Sequence, residues 1–304
     1  MSGMQGLINA QLMMAVYLGV GALCRRLGYM DDHVEDKLTS AVISIALPCM
    51  IFNAMLSTLG DVVLSDILQV VLACIVLLLG SYILGKIIYR NSPADKKPVF
   101  VYSVLSSNSA FVGLPIIGAV YGDYGIFFAA VYMTVARLFV WTLGLNLFIR
   151  GSAKQVLRRI ATNPNNIAVA LAVLVHCLHI PIPGVILEMT GEIGGTSTLL
   201  CMVMVGSLIA GNLHWKKLLD KDAYLYSLIR LIVIPLLTLG MLRLLGVPAT
   251  ATGTIVIMAA APAPTLACVM ASRYGADKEL AALLVLVSTV ISFITQPLMA
   301  LLCL

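Results

Sequence analysis

The chain has 304 residues and a mass of 32.4 kDa; 61% of its residues are hydrophobic and 11% charged, against about 25% charged in a soluble domain. That is too little charge to cover a water-facing surface, and a mean hydropathy of +1.02 at roughly 20 apolar residues per crossing supplies about ten membrane crossings. The net charge of +5 does not mark a nucleic-acid partner, because the excess is spread over short loops with no aromatic-basic module.

Apolar runs between charged breaks predict an all-α polytopic membrane protein. The first half holds the spans Gly6–Cys24, Leu38–Leu56, Ile67–Ile88, Pro98–Val120 and Gly125–Phe148. The second holds Asn166–Ile180, Gly194–Gly211, Tyr224–Leu245, Ala251–Ala271 and Leu280–Leu302. Alternate loops carry the basic residues: Arg25, Arg26 and Lys37, then Lys86, Arg90, Lys96 and Lys97, then Arg150, Lys154, Arg158 and Arg159. Lys216, Lys217 and Lys221 follow the seventh span, and Arg273 and Lys278 the ninth; the other loops hold none apart from Arg243 near the end of span eight. Basic loops stay cytoplasmic, which predicts both termini outside a cytoplasmic membrane. The first basic residue, Arg25, follows the first apolar run, so that run is expected to be a true span and not a signal peptide.

Five spans per half is an odd number, so related halves, 1–150 and 151–304, would form an inverted repeat. Tyr121-Gly122-Asp123 ends span four, and Tyr274-Gly275-Ala276-Asp277 ends span nine. Both spans are interrupted, span four by Asn108 to Pro115 (through Gly113) and span nine by Ala261-Pro262-Ala263-Pro264-Thr265. Proline removes a backbone donor and glycine admits non-helical backbone. Unwound backbone in a membrane must be buried in protein or face a watery cavity, and the half-helices that follow present free N–H groups suited to an anion. A lone proline, such as Pro48 or Pro235, reads instead as a simple kink.

Every Asp and Glu falls in a loop or at a span end, whereas Arg137 lies about halfway along span five. A central arginine costs about 2.5–3.5 kcal/mol to insert, so its charge needs carbonyls, water or an anionic ligand. Two readings stand: Arg137 pairs with a substrate carboxylate, or it satisfies carbonyls of the broken helices. Arg230, about two turns into span eight, is a second candidate for a substrate or gating role, or snorkels to the interface. His176, one turn from His179, is the nearest approach to a titratable intramembrane group and a candidate for proton coupling. Ser106, Ser107, Ser109, Ser288, Thr289 and Ser292 are small polar residues near the breaks and along span ten, which pack helices or bind sodium. The seven cysteines form no CxxC pair, so no metal site is expected.

Residues Asn108, Phe111, Gly113, Leu114-Pro115-Ile116-Ile117, Ala119 and Tyr121-Gly122 form one motif in span four. With Leu47-Pro48, Trp141-Thr142-Leu143-Gly144, Asn163-Pro164, Pro262, Ala271 and Tyr274-Gly275, it resembles the auxin efflux carrier family over nearly the whole chain. The likeness is to its bacterial branch of malonate and malate permease-like transporters, which lack the long cytosolic loop of the plant carriers. The resemblance implies ten helices as two inverted five-helix repeats, with helices four and nine crossing at their broken segments. It further implies a homodimer, elevator-like alternating access, and Asn108 at the substrate crossing. Plant carriers also place a carboxylate near the support site; no span here contains one, which argues against auxin itself.

The expected function is therefore secondary transport of small organic anions, carboxylates such as malonate or malate, or auxin-like acids, through a site of Asn108, Gly113, Pro115, Ile116, Arg137, Pro262, Pro264 and Thr265. His176, Arg230 and Ser288 are candidates for coupling or gating, with H+ or Na+ as the coupling ion and no other cofactor. No GxxxxGK[ST] loop occurs, which excludes an intrinsic ATPase motor. Receptor-like or channel modules of the same shape, and an intramembrane hydrolase, are the other classes these features admit.

Overall fold

The computed structural model describes residues 2–149, 153–212 and 220–303; Arg150, Lys216 and Lys217 of the loop-charge pattern lie outside the described residues. The fold is all-helical, and no strand occurs among the described residues. In chain order the helices are α1 (Ser2–Arg26), α2 (Asp32–Thr58), α3 (Leu64–Ile88), α4 (Lys97–Leu105) and α5 (Leu114–Phe139). They continue with α6 (Ala153–Ala161), α7 (Pro164–Cys177), α8 (Gly184–Asn212) and α9 (Lys221–Leu244). The chain closes with α10 (Ala249–Ala259), α11 (Leu266–Tyr274) and α12 (Lys278–Cys303).

Six stretches among the described residues are long and apolar enough to cross a membrane: α2, α3, the run Lys97–Leu147, α8, α9 and α12. That run of 51 residues would extend about 75 Å as one helix, more than twice the roughly 30 Å of a hydrocarbon core. It is broken twice. Ser106 is extended (φ −109°, ψ 155°), and Gly122 takes φ 58°, ψ −147°, open to glycine and strained for other residues. At Gly122 the chain folds back on itself, so that a Cβ on Gly125 would lie 2.6 Å from Ile117, eight residues earlier.

Of the widened π turns among the described residues, three, Val42–Ala46, Ser109–Gly113 and Ile229–Val233, each end two residues before a proline (Pro48, Pro115 and Pro235), whereas Val140–Gly144 does not. A proline ring crowds the carbonyl one turn back and cannot donate to it, and an extra residue in that turn relieves the clash. Pro48 and Pro235 thus follow a widened turn and are more than simple kinks.

Polarity is inverted relative to a soluble bundle. On α3, Leu64, Leu68 and Leu72 are 68%, 60% and 59% exposed, while Cys74 and Val70 on the other face are buried. An apolar stripe turned outward along a helix suits lipid, which takes the place of water as the solvent. Inside, α1 packs on α8 so closely that a Cβ on Gly21 would sit 1.9 Å from the Val203 carbonyl oxygen, and one on Gly206 2.1 Å from that of Leu18. Small residues permit this backbone contact, which larger ones would forbid. Helix α2 packs on α7 and α8, completing one body with α1. The second body places α3 on α4 and α5, α9 on α10 and α12, and α11 on α12.

Candidate functional site

Two helices stop and restart in the middle of the second body, and the breaks meet. After α4 ends at Leu105 and α10 at Ala259, the backbone N–H of Asn108 donates to the Pro262 carbonyl at 2.8 Å. The end of each interrupted helix leaves carbonyls with no partner one turn on, which carry the negative pole of the helix dipole. Side chains from neighbouring helices and from the first break itself take them up. Tyr226 Oη donates to Ser103 O (2.9 Å) and Ser107 Oγ to Met258 O (3.2 Å). Gln296 Nε2 donates to Ile257 O at 3.1 Å.

Arg230 performs the largest share of this. It is 1% exposed, and its Nη1 donates to Val104 O at 2.8 Å while its Nε donates to Ala261 O at 3.3 Å. One guanidinium therefore ties the end of α4 to the unwound segment after α10. Arg230 does not snorkel to the interface. Ser288, the other candidate on this side, accepts from the Ala263 N–H at 2.9 Å and donates to Leu284 O at 2.6 Å, which fixes the backbone of the second break.

A cavity of about 710 Å³ opens beside the crossing. Its wall includes Asn108, Arg137, Pro264 and Thr265 of the predicted set, and Ser106, Ser107 and Ser109 around the first break. The first turns after both breaks, Ser109 to Phe111 and Thr265 to Leu266, also line it, so both positive helix ends face the same space. Arg137 is half-buried, and its Nε is buried with no hydrogen-bond partner among the described residues. The carbonyls that were one of its two candidate partners are held instead by Arg230. Asn108 is 8% exposed.

Other predicted residues lie outside the cavity wall. Gly113, Pro115 and Ile116 are buried at the start of α5, where Gly113 lets Met258 approach (3.2 Å from the position of a Cβ), and Pro262 contributes its carbonyl to the crossing. His176 is exposed at the far end of α7, eleven residues beyond Asn165, which does line the cavity. The mouth adds groups that the sequence did not single out. Glu35 accepts from Ser207 Oγ and lies 3.6 Å from Arg25; Asp36 is exposed; Arg159 stacks over Trp141 with 4.4 Å to the ring centroid. Glu35 reads as a loop residue until α2 is seen to begin at Asp32.

A polytopic helical chain with two broken helices meeting beside a cavity that holds a few polar side chains is the architecture of a membrane transporter. The comparisons agree: a family model described as "Membrane transport protein" matches residues 9–300, and the chain belongs to this family, that of the auxin efflux carriers. It is a family of transporters and not of enzymes. The chain is 26% identical over 300 residues to an uncharacterized transporter of Methanothermobacter thermautotrophicus, covering 96% of this chain and 97% of that one. It is 22% identical over 301 residues to an uncharacterized transporter of Methanocaldococcus jannaschii, covering 94% and 96%.

Proposed function

We propose that the protein is a secondary carrier of small organic anions in the cytoplasmic membrane. The observation that carries this reading is the Arg137 guanidinium, whose Nε is buried and unpartnered in the wall of a cavity to which two helix N-termini also turn. A buried guanidinium nitrogen without a partner is costly, and guanidinium geometry suits a carboxylate.

The reading includes ten crossings arranged as two inverted five-helix repeats, and the packing supports it. If α1 corresponds to α7 and α2 to α8, exchanging the halves turns the α1–α8 contact into α7–α2, and both are present. The same exchange turns α3–α4 into α9–α10 and α3–α5 into α9–α12, which also occur. Elevator-like alternating access then moves the body containing the crossing against that of α1, α2, α7 and α8. With the basic loops cytoplasmic, the cavity opens inward past Glu35, Asp36 and Trp141.

Drive comes from an H+ or Na+ gradient or from the membrane potential acting on the anion. A proton travels on the substrate's own carboxyl group, because His176 stands away from the cavity. A homodimer completes the proposal. Thermal melting of the purified protein against a panel of carboxylates tests it: a binding acid raises the melting temperature by mass action, and Arg137→Gln abolishes that rise. A panel without effect, or one unchanged by the substitution, contradicts it.

A further inference from the structure

The cavity wall holds a second unsatisfied polar group. Asn165, near the start of α7, is 3% exposed, and both its amide nitrogen and its amide oxygen are buried without a hydrogen-bond partner among the described residues. The local helix start does not need this side chain. Asn163 caps α7, its Oδ1 accepting from the backbone N–H groups of Asn165 at 3.2 Å and Asn166 at 3.4 Å, while Asn166 Nδ2 donates to Ile160 O at 3.1 Å. Leaving a buried amide unpaired destabilises by about 1–3 kcal/mol, whereas leucine at the same place would pack without that penalty. A position shaped only by packing has no use for asparagine.

Charge then limits what can meet this amide. The charged side chains in the cavity wall are Arg137, Glu35 and Asp36; Arg230 lies outside it, its Nε and Nη1 on two carbonyls and its Nη2 buried without a hydrogen-bond partner among the described residues. Arg137 balances one anionic group. A second anionic group would find no further cation in the wall, whose other charges are the Glu35 and Asp36 carboxylates; the cations at the mouth, Arg25 and Arg159, lie outside the wall and are engaged by Glu35 and by the Trp141 ring. The Asn165 amide is neutral, donates and accepts, and matches a group that does the same: a hydroxyl, a carboxamide or an un-ionised carboxyl.

We propose that Asn165 is a specificity-determining residue of the anion site, and that the cargo is a monoanion carrying a neutral hydrogen-bonding group, its carboxylate on Arg137 and its neutral group on Asn165. The inference rests on the anion-carrier reading. Arg137 belongs to the body that holds the crossing and Asn165 to the other, so the cargo spans the two bodies and leaves Asn165 when they slide.

Titration calorimetry on the purified full chain at pH 7.5 tests this with two matched sets of acids. The sets are propionate, lactate and malonate, and phenylacetate, mandelate and phenylmalonate. In a set that binds, the hydroxy acid is expected to bind at least tenfold more tightly than the plain acid, and more tightly than the diacid. Asn165→Leu brings the hydroxy acid to within about twofold of the plain acid, with no loss of melting temperature. Asn165→Asp, nearly isosteric, weakens every acid and the diacid most. Acids that bind through Arg137 with no hydroxyl preference, with a preference that survives both substitutions, or with the diacid tightest overturn this proposal alone. Failure of all six acids to bind the parent protein overturns the anion reading along with it.

Discussion

Asn108 and Pro262 are joined main chain to main chain, N–H to carbonyl at 2.8 Å, so the two interrupted helices are one structural unit and not two independent kinks. Arg230 reinforces that unit from α9 through Val104 O and Ala261 O. Arg230→Met leaves both carbonyls buried without a donor and is expected to destabilise by about 2–5 kcal/mol. Arg230→Lys, with a single ammonium in place of the fork, recovers only part of this. Thermal unfolding in detergent measures both; a melting temperature unchanged in Arg230→Met contradicts the assigned role.

The contact of α1 with α8 makes a second expectation. Gly21→Ala and Gly206→Ala each drive a methyl group into a backbone carbonyl of the other helix, at 1.9 and 2.1 Å before relaxation. Each is expected to lower stability by about 1–3 kcal/mol as the helices separate. Gly19→Ala, on the same helix with nothing within 4 Å of the added carbon, is the control and is expected to melt like the parent. Equal melting of all three variants would mean the two helices do not meet as described.

Much of this arrangement was legible in the sequence because glycine and proline announce broken helices by local sterics. The interruption of span nine at Pro262 to Thr265 follows from such residues alone. That of span four was expected over Asn108 to Pro115 and lies at its near edge, Ser106 to Asn108, with the helix resuming as a π turn at Ser109, so that Gly113 and Pro115 fall in the restarted helix. Arg137 stood out because a charge in an apolar run is conspicuous. The role of Arg230 was not legible, since nothing in its own span says which carbonyls lie opposite; only the tertiary crossing brings Val104 and Ala261 to it. Asn165 was hidden by its neighbours: Asn163-Pro164-Asn165-Asn166 reads as the start of a helix, and only the hydrogen bonds separate the capping residue from the one left over. The π turns were invisible because a single extra residue per turn barely changes an apolar pattern.

Access to the cavity is open to chemical labelling. Thr265 is exposed in the cavity wall, so Thr265→Cys in a background with the native cysteines replaced is expected to react with a membrane-impermeant maleimide. Reaction should occur from the face that carries the basic loops, and a bound acid should slow it. Rapid labelling from the opposite face alone contradicts the inward opening.

On the other side of the molecule, Asp123 Oδ2 accepts from Ser57 Oγ at 3.0 Å, fastening the turn at Gly122 to the end of α2. The corresponding turn of the second half bonds within its own body, Asp277 N–H to Asp95 O at 3.1 Å. Under the proposed alternating access, Asp123→Ala releases this turn and favours the state open on the face opposite the basic loops. The labelling rate of Thr265→Cys from the basic-loop face should then fall a few-fold; an unchanged rate would show that this contact does not bias the two states.

Uptake by proteoliposomes, using a radiolabelled acid selected by thermal melting, is the most direct measurement of all. A guanidinium in the cavity wall that meets the anion predicts that Arg137→Gln lowers the initial rate at least tenfold, in keeping with the roughly 1.5–3 kcal/mol of a charged hydrogen bond, while the variant inserts and melts as the parent does. Uptake at the parent rate by a well-folded Arg137→Gln protein would contradict the account.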